Sequence, residues 1–374
     1  MANYRMVSSD NHVFEPTDLW TSRSRSGFKD RVPQVVRLED GDWWYCDDHR
    51  VIGMSPGAQT GMRFEEPEKL TRTTEVEHVR PGGYIPEEHL KDMDADGVDV
   101  SIVYPTVGLL LYSVPDSNLL TEIFRTYNDW LAEFCSYNLK RLKGVAMINV
   151  DDVQSGVKEL ERCARMGLGA GMITVYPPEG RGYNLPEYEP LWAAAQDLQM
   201  PIGLHIATNR PSAGQEFGVG EQADRVSSAF ISNADHWIRM SLAHMAFSGV
   251  FERHPKLQVG SVEMELSWIP HFLDRIDYTY TQRQQQDRYR FKEDMLPSDY
   301  IHRNVFFGFQ EDSLGIRLRE IIGVDNLLWG SDYPHQESTF PRSRQIVEEI
   351  LADCTEEERA KIAGGNAVRI YNLD

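Results

Sequence analysis

Asp10 and His12, in VSSDNHV, set a carboxylate and an imidazole two positions apart at the end of the first apolar run. In an extended strand residues i and i+2 face the same side, so both side chains can be aimed at one point. One oxygen and one nitrogen donor suit zinc, manganese or iron. Alone the pair is weak, because an aspartate at a strand end is often a turn residue or a helix cap. His205 interrupts the apolar GLHI and Asp332 follows the apolar LLWGS. Singly, these read as a satisfied core histidine and another cap. Taken together, Asp10, His12, His205 and Asp332 stand at the ends of three predicted strands and form a candidate metal site.

Further side chains of the same kinds lie nearby in sequence. They are Glu15 in HVFEP, His244 in SLAHMAF, Glu263 and Glu265 in SVEMEL, and His335 in SDYPH. One metal with an open position needs only three or four protein ligands. Glu15, His244, Glu263 and His335 are therefore candidates for holding a second metal, for orienting the ligands of the first, or for acid–base work. Asp332 would be both ligand and proton acceptor, with His244 or Glu263 moving the proton. Glu263 reads equally as a buried carboxylate paired with an arginine such as Arg275, and the surroundings of His244 read as helix. His49, His78, His89, His236, His254, His271 and His302 read as surface or packing residues. Arg210 could meet a substrate carboxylate or face solvent from a loop, and Trp43-Trp44-Tyr45 could cover a substrate or anchor their own segment.

Aiming these residues at one point requires strands that end on one side. Runs at Met6–Asp10, Val98–Pro105, Gly144–Val150, Ala170–Tyr176, Ile202–Ile206, Leu257–Met264, Val305–Phe309 and Leu327–Ser331 read as eight strands. Their near-continuous apolar character fits parallel strands buried on both faces. Helices are predicted between them at Ser117–Lys140, Val153–Met166 and Pro186–Leu198, where apolar residues recur at three-to-four spacing. Eight alternations predict an α/β fold, a (β/α)8 TIM barrel. An open doubly wound sheet is the rival, weakened because the chain has neither GxGxxG after its first strand nor GxxxxGK[ST]. Residues 1–374 read as one barrel domain with an insertion at about 37–86: a β-hairpin over Arg37–Ile52 around Asp40-Gly41, then an irregular Gly53–Pro86. A long loop is expected at Ala207–Phe230 after the fifth strand. Both excursions leave from strand C-terminal ends, where they can roof a pocket.

With 38 Lys plus Arg against 58 Asp plus Glu, the formal charge of −20 argues against nucleic acid and anionic membranes as partners, leaving a small-molecule substrate. Four scattered cysteines without a CxxC pair, no apolar run of membrane-spanning length and no signal-peptide pattern lead to a cytoplasmic expectation. The aromatic-rich insertion is a plausible contact for a homo-oligomer, or for a hetero-oligomer.

The stretches SSDNHVFEPTDLW, MPIGLHI, SGVFERHPKLQVGSVEMELSWIPHFLDRID, LLWGSDYPH and AGGNAVRIYNL resemble the amidohydrolase-related group of the amidohydrolase superfamily, which includes metal-dependent nonoxidative decarboxylases. The resemblance runs nearly the whole chain. It implies a metal held by the strand-one pair, a strand-five histidine and a strand-eight aspartate, which here are Asp10, His12, His205 and Asp332. Many relatives carry histidine where this chain has Asp10, a departure that shifts the expectation from zinc toward manganese or iron. Many also carry histidine at the end of strand six, where this chain has Glu263. The function implied is hydrolysis of an amide, ester or lactone, or nonoxidative decarboxylation of an aromatic acid. The alternative is a dinuclear iron or manganese–iron oxygenase on the same barrel, and the last reading is a non-catalytic subunit.

Overall fold

A computed structural model describes residues 4–71, 74–210, 232–283, 285, 289–292 and 294–373. In chain order its strands are β1 (Val7–Val13), β2 (Gln34–Leu38), β3 (Gly41–Cys46), β4 (His49–Gly53), β5 (Val100–Pro105), β6 (Leu142–Met147), β7 (Ala170–Ile173), β8 (Ile202–His205), β9 (Val259–Val262), β10 (Val305–Phe309) and β11 (Leu327–Trp329). The eight strands expected from the apolar runs are β1 and β5 to β11, and they form one sheet in the order β1-β5-β6-β7-β8-β9-β10-β11. All neighbours in it are parallel. Every residue of β1, β5 and β7 through β11 is buried, as strands covered on both faces require.

The ring closes between β1 and the segment after β11. Asp332 N donates to Asp10 O (2.8 Å) and His12 N to Tyr333 O (2.5 Å). Ser331 N also donates to Ser8 Oγ (2.8 Å). The protein is a (β/α)8 TIM barrel, and its seam is made by the segments that carry Asp10, His12 and Asp332.

Helices cover the outside. Ser117–Ser136 begins where the Asp116 carboxylate accepts from Asn118 N and Leu119 N, and it buries Leu120, Phe124, Tyr127 and Leu131. Val153–Arg165 starts in the same way, with Asp152 accepting from Ser155 N. The helix expected at Pro186–Leu198 divides into a 3-10 turn, Pro186–Tyr188, and a helix, Glu189–Leu198, with Pro190 in its first turn, where the missing N–H costs nothing.

The insertion differs from the expected hairpin. β2, β3 and β4 make a three-stranded antiparallel sheet. Its first turn is Glu39-Asp40, with Gly41 opening β3 opposite Leu38. Its second, Asp47-Asp48, has both residues at positive φ (51° and 64°), the backbone of a tight hairpin whose hand matches strand twist. That turn lacks glycine, which hid it in the sequence. Trp43 and Trp44 are buried, and Trp44 packs edge-on against Trp20 at 5.4 Å, so they anchor the insertion. The described residues of Gly53–Pro86, expected to be irregular, include several short helical turns. Of the loop expected at Ala207–Phe230 only Ala207–Arg210 is described; the remainder lies outside the described residues. Among the described residues no helix is long and apolar enough to cross a membrane, and all four cysteines are free and buried.

Candidate metal centre

β1 carries an extra residue between Ser8 and Asn11 relative to β5, a bulge that re-aims the strand just before Asp10. Ser8 Oγ donates to Asn11 Oδ1 (2.7 Å) and Asn11 Nδ2 to Ser101 Oγ (2.8 Å), which holds Asn11 on the outer side. Asp10 and His12 consequently share the inner side, with His12 Nε2 3.3 Å from Asp10 Oδ1. His205 is the last residue of β8. Its Nε2 lies 3.4 Å from Asp10 Oδ1 and 3.5 Å from Glu263 Oε2, just beyond β9. Asp332 Oδ1 lies 3.2 Å from His12 Nε2. Donor atoms held around one ion at roughly 2.0–2.2 Å are spaced in about this way.

The donor set fits a metal. Asp10 Oδ1, His12 Nε2, His205 Nε2 and Asp332 Oδ2 are buried and make no hydrogen bond. Each imidazole is fixed from its other side, by His12 Nδ1 on Pro105 O (2.8 Å) and His205 Nδ1 on Ile206 O (3.0 Å). A carbonyl only accepts, so Nδ1 carries a proton and Nε2 is the ring atom turned inward. Burial opposes ionisation of Asp10, yet the His205 and His12 imidazoles outweigh it and hold the carboxyl below its ordinary range. Burial likewise opposes a charged His12, and the Asp10 and Asp332 carboxylates reverse that, raising it well above its usual value. Asp332 is lowered against its burial by His335 and His12. Burial with the Asp332 and Asp10 charges pushes Glu263 well up. Among the described residues no lysine or arginine is paired with these carboxylates, and carboxylates gathered in that state call for a cation.

The rim is also where the backbone is strained. Of eight non-glycine residues with positive φ among those described, Ala207, Glu263, Glu265 and Asp332 lie just past β8, β9 and β11. Strain of this kind gathers at functional sites.

The remaining sequence candidates part company. His335 is buried beside Asp332: its Nδ1 donates to Asp332 Oδ1 (2.7 Å), its Nε2 meets Thr106 Oγ1 (2.8 Å), and its ring stacks on His12 at 4.1 Å. Glu263 faces the ligands, and its pairing with Arg275 is corrected, because Arg275 lies over the Tyr278 ring. Glu265 stands apart, accepting from Gln310 N (3.4 Å), its carboxyl pushed up to about 7 by burial and Asp312. Glu15 is corrected as a ligand candidate: both its oxygens accept from the backbone amides of Val107 and Gly108 at 2.9 Å, which turns it away from the centre. His244 is not brought to the ligands as a possible second-metal residue. It sits on the helix Asp235–Phe247, half-buried beside Tyr176, and joins none of the metal-competent clusters among the described residues. Arg210 matches neither reading; it is buried, clamped to Asp151 and to the carbonyls of Tyr112, Val114 and Pro115. The residue that sequence reasoning missed is Glu337, whose carboxylate joins Asp332 and Glu263. The available signal was its place two residues after His335 in the same short loop.

The insertion braces this rim. Arg63 Nε donates to Ser338 O (2.9 Å), Thr60 Oγ1 donates to Pro334 O, and Phe14 N donates to Gly83 O (2.7 Å).

A family model described as amidohydrolase matches residues 46–373, starting after Asp10 and His12. The gamma-resorcylate decarboxylase of Rhizobium sp. (strain MTP-10005) is 28% identical over 301 residues, 78% of this chain and 88% of that protein. Among solved structures, an amidohydrolase from Mycobacterium avium subsp. paratuberculosis K-10 superposes with a TM-score of 0.77 at 23% identity, covering 99% of this chain and 100% of that one. A dihydroxybenzoic acid decarboxylase from Polaromonas sp. JS666, solved with manganese and the inhibitor 2-nitroresorcinol, gives 0.65 at 19% identity over 99% and 97%.

Proposed function

Because the chain belongs to the amidohydrolase family, we propose that it is a metal-dependent lyase that removes CO2 from a hydroxylated aromatic acid without redox chemistry. The observation that carries this reading is the meeting of Asp10, His12, His205 and Glu263 with Asp332 beside His12, where Asp10 Oδ1, His12 Nε2, His205 Nε2 and Asp332 Oδ2 are buried without a hydrogen-bond partner. The named decarboxylases support the nonoxidative outcome and replace the O2-dependent alternative. Manganese is the ion we assign, since two imidazoles with three carboxylates form a harder donor set than zinc prefers, and the Polaromonas decarboxylase holds manganese.

A bound divalent ion supplies Lewis acidity, polarising the substrate's oxygens. The chain's own residues hold and aim it. His12 and His205 present Nε2 because backbone carbonyls fix Nδ1. His335 pins Asp332 by a charge-assisted hydrogen bond, with Thr106 pinning His335 in turn. Thr60 and Arg63 of the insertion hold the carbonyls of Pro334 and Ser338, which flank His335 in its loop. As the bond to the carboxylate breaks, its electron pair stays on the ring carbon, and a proton entering from solvent takes the place of CO2.

The test is CO2 release from gamma-resorcylate and a panel of ortho-hydroxybenzoates, measured under argon with manganese-loaded protein. Turnover is expected without oxygen and is lost in His205→Ala. An inert panel combined with hydrolysis of amides, esters or lactones would overturn the reading, as would a strict need for O2.

A further inference from the structure

His89, Asp92 and Asp96 recur at intervals of three and four on the helix Pro86–Asp96, so they share one face. That face meets the loop of residues 331–343, which carries Asp332 and His335. The His89 ring lies edge-on to Tyr333 at 5.1 Å. Asp92 Oδ2 accepts from the Tyr333 hydroxyl. Asp96 Oδ1 accepts from Ser343 N (2.9 Å), and its Oδ2 accepts from Ser343 Oγ. Ser343 Oγ in turn meets Thr339 Oγ1 (2.6 Å) and Ser331 Oγ (3.2 Å), so both ends of the loop are tied to one carboxylate. We propose that this helix is a clamp on the metal-binding loop, and that Asp92 and Tyr333 are positioning residues for Asp332. The proposal rests on the metal-centre reading and adds what keeps one of its ligands in place.

Asp332 needs such a holder. Its φ of 63° is a left-handed backbone, unfavourable for a residue with a side chain, and it persists only where the surroundings over-determine it. Tyr333, the next residue, is buried and held at both of its ends. On the barrel side its carbonyl accepts from His12 N (2.5 Å), and on the outer side its hydroxyl is fixed by Asp92. Asp92 is itself gripped at both oxygens by Arg80, through Nε at 2.7 Å and Nη2 at 2.6 Å. The Arg80 guanidinium lies over the Phe340 ring at 4.7 Å, and Phe340 packs on Tyr333 at 5.2 Å, which closes the clamp on the same loop. Tyr333 has no room to shift toward the insertion, where a Cβ on Gly82 would strike its hydroxyl. An anchored phenol sets the direction of the Tyr333 side chain and, through one peptide bond, the backbone from which the Asp332 carboxylate is aimed.

The experiment measures the Mn2+ dissociation constant of the full-length chain by competition with a fluorescent chelator. Melting of the metal-free protein and the electron paramagnetic resonance spectrum of bound Mn2+, which reports ligand geometry, are recorded alongside. Tyr333→Phe removes only the hydroxyl, and Asp92→Ala removes its acceptor. Each should weaken manganese binding roughly tenfold or more, as loss of a group that orients a metal ligand does. The double variant should bind no more weakly than the weaker single variant, because both changes break one contact. Asp92→Asn keeps an oxygen for the phenol and should recover most of the affinity, and the bound-ion spectrum should broaden in Tyr333→Phe. A brace of the fold alone would lower the melting temperature and leave Kd within twofold of wild type in both single variants. That result would overturn the clamp and leave the metal centre standing, as would losses that multiply in the double variant. A wild type that holds no manganese would sink the metal-centre reading and the clamp with it.

Discussion

Replacing His335 with phenylalanine removes the hydrogen bond by which its ring holds the Asp332 carboxylate. The ring keeps its stack on His12, now 4.1 Å between centroids, while two hydrogen bonds disappear: Nδ1 to Asp332 Oδ1 at 2.7 Å and Nε2 with Thr106 Oγ1 at 2.8 Å. A hydrogen bond to a charged group contributes about 1.5–3 kcal/mol. At about 1.4 kcal/mol per factor of ten, its loss should weaken manganese binding roughly 10–100-fold. That range coincides with the roughly 10–100-fold cost typical of removing a group that orients a metal ligand. The dissociation constant is read by competition with a fluorescent chelator, with melting of the metal-free protein as the folding control. His335→Gln can still donate to Asp332 through its amide and should recover most of the loss. A Kd within twofold of wild type in His335→Phe would refute the argument. Equal losses in the two variants would shift the role to the stack, and a change in the number of ions would make His335 a ligand.

Gly330→Ala should impair the centre without deleting a ligand, because a Cβ there falls 2.6 Å from Asp10 Cβ and 3.1 Å from Asp10 N. We expect manganese affinity to drop about tenfold or more while the barrel stays folded, as displaced ligands do; unchanged affinity would show that β1 can give way. Arg210→Met leaves the largely buried Asp151 without its partner and should lower unfolding stability by about 3–5 kcal/mol, a loss that Arg210→Met with Asp151→Leu largely restores. Additive losses in the double variant, measured by urea unfolding, would contradict the clamp. Burial lowers His89 to about 4 while Nδ1 meets Gly82 O and Nε2 meets Ser101 Oγ. Its unfolded value is about 6.5, so between those values only the unfolded chain binds the proton, and stability falls as pH drops from about 6.5 to about 4. The full shift is worth about 3 kcal/mol, and the pH slope of urea midpoints should flatten in His89→Asn; parallel slopes would remove His89 as the cause.

Much of the fold was legible because its periodicity is local. Parallel strands buried on both faces read as unbroken apolar runs, and each of the eight runs holds a strand of the barrel, with ends shifted by up to a few residues. Asp10 and His12 were legible for a similar reason, since alternation along one strand dictates that i and i+2 share a side. Their meeting with His205 and Asp332 followed from the rule that such barrels gather strand C-terminal ends on one rim. What the sequence left open were contacts between segments far apart in the chain. Glu15, three residues from His12, turns to the amides of Val107 and Gly108, because a loop carboxylate goes to whichever unsatisfied donors the fold brings near it. Arg210 looked free until the barrel set it against Asp151 and three carbonyls from other loops. Glu337 drew no reading from the sequence, since only the fold brings its carboxylate to Asp332 and Glu263. Composition and alternation act over a few residues, and they determined the strands and the inward pair. Direction in loops depends on partners up to hundreds of residues away, and only the closed barrel decided it.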